Sequence, residues 1–299
     1  MGMLIFSLLL SGCERRELTY YSSEELQVSA DWTSADLEEE NEYGATLIFY
    51  PRGGGAPQTI LMGDRRRTTV RLPLGRHYDV LLFNRSFLDF SAVGFRNKEA
   101  FHTLETYARQ VESRSETRVI VRAPEKLAVD AVEDLVVSKD MHFVPRKLTQ
   151  TIEVTIYVKG LHNVRDAMCT MDGLPVSVFL ATGKASGETA SHTFELDDRQ
   201  YDEGSSTDGS LSGSFNVFGF NAGARHELEF SALLKDGKTE VREVFPDISI
   251  SAEEDEKGNV VFSVEVIATK PIPDVDMGDA GLDADVDDWE DGEDCDIDM

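Results

Sequence analysis

Residues 152–158 alternate β-branched apolar residues with polar ones in a strict period of two. Successive side chains of a β-strand point to opposite faces, so this period predicts a strand with one buried and one solvated face. Other short apolar runs are separated by turn-forming residues and have the length of strands. These runs are 46–50, 59–62, 68–72, 78–83, 118–122, 176–181, 215–220, 227–234, 239–244 and 260–268. We therefore predict a mainly β fold.

Two pairs of these runs have connections typical of β-hairpins. A Gly- and Pro-rich stretch separates residues 46–50 from residues 59–62, which predicts a hairpin with a long loop. Residues 227–234 and 239–244 flank Asp236-Gly237. This dipeptide favours the positive φ angles of a two-residue type I′ turn, so we predict a tight hairpin there.

Three segments depart from simple alternation. Residues 78–83 are almost continuously apolar, which is typical of a strand covered on both faces. Residues 124–137 combine a helix-like start with strand-like alternation, and both interpretations stay open. Residues 197–213 are rich in Asp, Ser and Gly and are predicted to form a surface loop. Apolar residues at spacings of three and four predict a short helix over 97–110, with a face formed by Phe101, Leu104, Tyr107 and Ala108.

The length of 299 residues favours about two domains. Pro145-Arg146-Lys147 lies just before the alternating strand at 152–158 and is predicted to mark the boundary. Two successive sets of short strands indicate two β-sandwiches in tandem, one over 28–145 with short helices and one over 146–270.

The N-terminus predicts a lipid anchor. An apolar run over residues 3–10 ends in Leu10-Ser11-Gly12-Cys13, the pattern of a lipoprotein signal peptide, which we assign to residues 1–12. Its cleavage would leave Cys13 as the lipidation site, carrying acyl chains such as palmitate. Polar residues 13–27 would then be a tether to the outer membrane, and we predict that the protein is exposed on the cell surface. The alternative is an ordinary cleaved signal or an apolar start in which Cys13 is incidental.

Negative charge is concentrated at the C-terminus. The net charge is −27, and residues 271–299 contribute −13 of it through 11 Asp and 2 Glu with no Lys or Arg. This balance argues against nucleic acid as a partner. Apolar residues such as Trp289 are interspersed among the acids, so the tail is either a strand that adds to a sheet edge or a disordered solvating segment.

Cysteine usage leaves two interpretations for the residues beyond Cys13. Cys169 and Cys295 could form a disulfide in an exported protein, but we favour a small buried residue at 169 and an exposed thiol at 295.

We predict no catalytic residues, no metal site and no cofactor, and therefore a protein that is not an enzyme. The histidines are scattered at 77, 102, 142, 162, 192 and 226 without metal-ligand spacing. Residues 283–287 resemble the start of a calcium loop, but Asp288 and Asp294 replace the expected Gly and Glu. The Arg65-Arg66-Arg67 run suits a turn better than a protease-sensitive or phosphate-binding site.

Several segments of the chain resemble the fimbrillin-like lipoproteins of the Bacteroidales, in the FimB/Mfa2-like group. The resemblance implies a pair of transthyretin-like β-sandwiches and a cell-surface subunit in fimbrial assembly or adhesion. In that family an extended strand of one chain completes a sheet of another, so the tail would meet other fimbrial subunits. The rival hypothesis is a surface glycan- or ligand-binding lipoprotein. The resembling segments are 13–21, 30–32, 49–54, 72–80, 82–86, 124–130, 158–163, 234–239 and 286–289.

Overall fold

The computed structural model describes residues 23–35, 37, 44–111, 119–137, 140–220, 225–254 and 260–275. Strands predominate in these residues, and the prediction of a mainly β fold is confirmed. The described helices are single 3-10 turns, and none of them is long or apolar enough to span a membrane. They are Thr33–Ala35, Phe101–Thr103 and Leu161–Asn163. The predictions for the signal peptide, Cys13, Cys295, residues 283–287 and the tail beyond Val275 lie outside the described residues.

The described strands are numbered in chain order. Up to residue 147 they are β1 Ser23–Ala30, β2 Ala45–Pro51, β3 Gln58–Met62, β4 Arg67–Pro73, β5 His77–Asn84, β6 Val93–Arg96, β7 Glu105–Ala108, β8 Ile120–Arg122, β9 Ala128–Val136, β10 Asp140–Phe143 and β11 Arg146–Lys147. Beyond it they are β12 Gln150–Val158, β13 Val164–Pro175, β14 Ser177–Phe179, β15 Thr189–Glu195, β16 Asp198–Tyr201, β17 Gly209–Val217, β18 Leu228–Leu234, β19 Glu240–Phe245, β20 Ile250–Glu254 and β21 Val260–Ile267.

These strands form five sheets. Sheet I has the order β10-β1-β4, sheet II β11-β9-β5-β2-β3, and sheet III β14-β7-β6. Sheet IV has the order β19-β18-β13-β15-β8, and sheet V β16-β17-β12-β21-β20. Most neighbours are antiparallel, but β1 pairs with β10, β15 with β8, and β12 with β21 in parallel.

Sheet II is covered on both faces. Leu47 and Leu82 lie in one apolar cluster with residues of sheet I. Ile48 and Phe83 lie in a second cluster on the opposite face, which we call the junction core. All four side chains are at most 1% exposed. This double coverage explains why β2 and β5 are apolar at consecutive positions, as expected for residues 78–83.

Sheets IV and V pack against each other around a third apolar cluster. β12 lies at the centre of sheet V, antiparallel to β17 and parallel to β21. Ile152, Val154 and Ile156 are completely buried, whereas Glu153 and Tyr157 on the alternate positions are exposed. The strand with one buried face predicted at 152–158 is confirmed.

The two halves of the chain exchange strands. β8, from before residue 145, joins sheet IV beside β15, and β14, from after it, joins sheet III beside β7. Val178, Leu180 and Phe218 complete the junction core, whose other members come from the first half. The division of the chain at residues 145/146 stays a prediction.

The helix predicted at 97–110 is wrong. One 3-10 turn, Phe101–Thr103, is followed by strand β7. The three-residue spacing of Phe101 and Leu104 reflects that single turn. Beyond Leu104 the backbone is extended because β6 and β14 supply its hydrogen-bond partners on both sides.

Two further segments differ from the predictions. The predicted loop at 197–213 contains β16 and the start of β17, which pair from Asp198↔Ser212 to Tyr201↔Gly209, so the loop itself is shorter. The ambiguous segment 124–137 contains strand β9, which pairs with β5.

The hairpin between β18 and β19 is present, but its turn is not the predicted type I′. The backbone pairing closes with Leu234 N donating to Thr239 O at 2.9 Å, which leaves a four-residue loop. Gly237 has a φ of 66°, whereas Asp236 does not adopt a positive φ. The Asp236 carboxylate instead accepts hydrogen bonds from the backbone amides of Lys238 at 2.9 Å and Thr239 at 2.8 Å. These side-chain contacts stabilise the longer loop.

Candidate assembly surface

The chain returns to the body after β21 instead of leaving it directly. Residues 271–275, which we call the tail root, lie against the end of the core between sheets IV and V. Ile272 is 4% exposed, and its amide donates to Lys159 O at 2.8 Å. Asp274 accepts a hydrogen bond from Asn163 Nδ2 at 2.9 Å. The C-terminal segment therefore starts from a defined place beside the 3-10 turn Leu161–Asn163.

Gly160 makes this docking possible. Its φ is 83°, in the left-handed region that favours glycine. A Cβ added to Gly160 would lie 2.4 Å from Ile272 O, which is far inside van der Waals contact. Only a residue without a side chain allows the tail root to approach the backbone so closely.

The sheet edges differ in how they are protected from pairing with another chain. Open edge strands are commonly protected by charged side chains. β20 carries Glu253 and Glu254, β19 carries Arg242 between two Glu residues, and β16 carries Asp198 and Arg199. Among the described strands at the end of a sheet, β3 and β14 carry no charged residue, but β14 is hydrogen-bonded on its other side to Lys184 and Ser186. Leu61 of β3 is 65% exposed. β3 is therefore the edge best suited to accept an added strand.

A basic turn follows β3 directly. Asp64 organises the turn, because its carboxylate accepts a hydrogen bond from Arg66 N at 2.9 Å and its carbonyl one from Arg67 N at 3.2 Å. The Arg65 carbonyl accepts a hydrogen bond from Trp32 Nε1 at 2.7 Å. The interpretation of Arg65-Arg66-Arg67 as a turn is confirmed. Arg66 and Arg67 are exposed just after β3, and the Arg67 guanidinium lies 3.4 Å from the Asp64 carboxylate, so part of the positive charge of the turn is already matched.

The described histidines are dispersed and do not converge on a reactive group. Within the described part of the chain, no cluster of three or more His, Cys, Asp or Glu side chains is arranged to hold a metal. Several of the imidazoles have individual partners: His77 with Asp134, His142 with Ser29, His162 with Asp274, and His226 with the Asp172 carbonyl.

Cys169 is a free thiol in the core between sheets IV and V and is 1% exposed. Burial disfavours the thiolate and raises the pKa of Cys169 well above its usual range. The side chain therefore acts as a small apolar group, as the favoured interpretation of residue 169 expected.

His192 is buried on β15 between Met171 of β13 and Val121 of β8. Neither ring nitrogen has a hydrogen-bond partner of good geometry among the described residues. Burial lowers the pKa of His192 from 6.5 to about 4, and a weak interaction with the Ala190 backbone opposes this shift. The imidazole is therefore neutral in the folded protein at neutral pH.

We expect this histidine to make the fold acid-sensitive. The unfolded chain binds a proton at His192 near pH 6.5 and the folded chain only near pH 4, so stability is present above pH 6.5 and is lost as the pH falls. The expected loss from pH 7 to pH 5 is about 2 kcal/mol. Urea unfolding at both pH values should show that His192→Leu removes this loss, whereas His102→Gln, at an exposed site, retains it. An equal pH dependence in the His192→Leu variant and the unaltered protein would contradict the assignment.

Comparison with known proteins assigns the chain to a family. The model of a domain of unknown function, DUF5119, matches residues 12–195. No curated protein matches the chain in sequence. The crystal structure of a candidate adhesin from Bacteroides ovatus is 17% identical with a TM-score of 0.58, and the alignment covers 80% of this chain and 88% of that one.

Two other solved structures align over similar lengths with lower scores. A second candidate adhesin from Bacteroides ovatus has 10% identity, a TM-score of 0.47 and coverage of 75% of this chain and 77% of that one. The fimbrial anchor protein Mfa2 from Porphyromonas gingivalis has 11% identity, a TM-score of 0.40 and coverage of 81% and 95%. The likeness to the first of these structures, at 17% identity, is one of fold. Because the family model spans more than half of the sequence, the chain belongs to the DUF5119 family.

Proposed function

We propose that this protein is a lipid-anchored, cell-surface fimbrillin-like subunit that acts in fimbrial assembly or adhesion through protein–protein contact and not as an enzyme. The fold likeness to a Bacteroides ovatus candidate adhesin supports this role. The observation that carries it is the uncharged open edge of β3 beside an exposed basic turn. A sheet edge of this kind recognises an extended segment by backbone hydrogen bonds.

The proposed architecture is two tandem transthyretin-like β-sandwiches over 28–145 and 146–270. In this proposal, residues 1–12 are a signal peptide, Cys13 is lipidated, and residues 13–27 tether the first sandwich to the outer membrane. The lipid holds one end of the chain at the membrane, and the tail root gives the C-terminal segment a defined starting point at the other.

The proposed contact is between the acidic tail of one molecule and β3 of the next. The tail carries −13 over residues 271–299, and Arg66 and Arg67 lie just beyond β3. An acidic segment could pair through its backbone with β3 while its carboxylates face these guanidinium groups. Opposite charges would guide the approach, and the backbone hydrogen bonds would hold the register.

Deleting residues 276–299 tests this contact, since it leaves Ile272 and Asp274 in place. We expect the unaltered chain to form high-molecular-weight assemblies in light scattering, and the truncated chain to remain monomeric with an unchanged melting temperature. Leu61→Lys should also prevent assembly because it charges the β3 edge. The matched control is Val244→Lys on edge strand β19, where the side chain is 49% exposed. Undiminished assembly after the deletion would overturn the tail contact.

A further inference from the structure

A cavity of about 430 Å³ lies at the junction between the two halves of the chain. β7 pairs with β14, and Gln110, two residues beyond β7, forms a bridge with Val121 of β8. The cavity is lined by residues from both of these contacts. We call it the junction pocket. Its volume lies in the range typical of small-molecule sites.

Backbone hydrogen bonds surround the junction pocket on several sides and make it a preformed cavity. The end of β7 bonds to the connection before β14, and the segment after β7 bonds to β8. The residue before β8 in turn bonds to β15. The bonds are Ala108 N to Val176 O at 2.8 Å, Val176 N to Glu188 O at 3.1 Å, Ser191 N to Val119 O at 3.3 Å, and Val111 N to Ile120 O at 2.9 Å. A site bounded in this way binds a ligand without first having to order its own walls.

The floor of the pocket is apolar and its rim is polar. Val121 and Ala108 are 2% and 6% exposed and belong to the junction core below. The rim includes the side chains of Glu188, Gln110 and Tyr107. Among the described residues, no side-chain hydrogen-bond partner is found for these three rim groups. They therefore provide both donors and acceptors to a ligand.

Arg96 also lines the pocket, but its charge is already matched. Its Nε and Nη2 donate to the two carboxylate oxygens of buried Glu105, at 2.6 Å and 2.7 Å. Ser177 Oγ donates to the same carboxylate at 2.5 Å, and these contacts lower the pKa of Glu105, with the Arg96 hydrogen bond as the main cause. Glu188 adds a second carboxylate at the rim, and it also interacts electrostatically with the Arg96 guanidinium.

The lining excludes several classes of ligand. Glu188 would repel an anion, and a wholly apolar ligand would desolvate the polar rim without replacing its hydrogen bonds. A cation would meet the Arg96 guanidinium, which lies 5.5 Å from the centroid of the Tyr107 ring, while the hydroxyl end of that ring packs over Gly94. A neutral polyhydroxylated ring satisfies every feature, since its C–H face suits Val121 and Ala108 while its hydroxyls suit the rim.

We propose that the junction pocket binds one or two pyranose units of a neutral glycan. Planar carboxylate and amide groups can each engage two neighbouring hydroxyls, as Glu188 and Gln110 would do here. The residues that line this site belong to sheets III and IV and the segments beside them and include none of β3 or the tail root, so the proposal is independent of the assembly proposed above.

Calorimetry and ligand-detected NMR on the full chain would test the proposal. The probes are neutral disaccharides of glucose, galactose, mannose and N-acetylglucosamine, with sialyllactose as the anionic comparison. We expect at least one neutral disaccharide to bind and sialyllactose not to bind. Replacing Glu188→Gln together with Gln110→Ala should weaken binding about tenfold or more, because hydrogen bonds from both planar groups are lost or weakened.

The control is Glu153→Gln, which alters a carboxylate at a separate cavity on sheet V lined by Asp197 and Asp198. It should leave disaccharide binding unchanged. Because Glu188 and Gln110 are exposed, the double variant should retain the melting temperature of the unaltered protein. Absence of binding by all neutral probes, preference for sialyllactose, or equal binding by the double variant would each overturn the proposal. Assembly in light scattering should be the same for all these variants, which separates this test from that of the β3 contact.

Discussion

Separating the chain between residues 145 and 146 should leave neither half with a native junction core. The first half would lose strand β14 from sheet III and the side chains of Val178, Leu180 and Phe218. Burial of a large apolar side chain contributes about 1.5–3 kcal/mol, so these three represent about 5–9 kcal/mol. That amount is comparable with the whole stability of a typical domain. The second half would lose β8 from the edge of sheet IV.

Calorimetry and hydrogen exchange would measure this effect. We expect the intact protein to unfold in one transition, with equal calorimetric and van't Hoff enthalpies, and the separate halves to lose slow-exchanging amides in β7, β8 and β14. A chain cut at Gly204, in the exposed loop between β16 and β17, should keep the single transition. Two independent transitions in the intact protein would show that the strand exchange contributes little, and would favour the domain division predicted at 145/146.

Gly160→Val should destabilise the protein by about 2.5–5 kcal/mol. A side chain in the left-handed region costs roughly 1–2 kcal/mol, and displacement of the tail root would expose Ile272, which costs roughly 1.5–3 kcal/mol. Chemical unfolding at neutral pH would measure the loss. Gly53→Val is the matched control, because no atom lies within 4 Å of the position of its Cβ and its φ is not positive. It should change stability by less than about 0.5 kcal/mol.

A chain that ends at Lys270 identifies the cause of this effect. Without the tail root, the clash with Ile272 is absent, so Gly160→Val should cost only the backbone term of about 1–2 kcal/mol. An equal cost in the two backgrounds would mean that the tail root does not depend on Gly160. The comparison also bears on assembly, because displacing the tail root would change where the acidic segment leaves the body.

The candidate surface and the candidate pocket differ in how far the sequence predicts them. The uncharged run at 59–62 is visible in the sequence, and so is the basic turn at Arg65-Arg66-Arg67. That β3 is an open edge follows only from the sheet order. The pocket joins Tyr107 and Gln110 to Glu188, far away in sequence. The local spacing predicts Tyr107 on a helix face, and no local pattern relates it to Glu188.

The failed predictions share a physical cause. Phe101 and Leu104 have a spacing compatible with a helix, but β7 is extended because β6 and β14 satisfy its backbone groups. Likewise Leu211, within a Ser- and Gly-rich stretch, is fully buried because β17 pairs with β12 and places this side chain in the core between sheets IV and V. Local composition favours a loop there, and long-range pairing outweighs it.

By itself, the sequence determined where strands with a buried face lie. Ile152, Val154 and Ile156 have the period of one buried face, and the continuous apolar residues of β5 require cover on two. Only the tertiary structure decided which strands are neighbours. It pairs β1 in parallel with β10, and it makes β8 and β14 cross between the halves. It also decided that residues 271–275 pack beside Gly160. The reason is that side-chain periodicity records burial, whereas strand pairing uses backbone groups that nearly every residue carries, so their partners are selected by the packing of the whole chain.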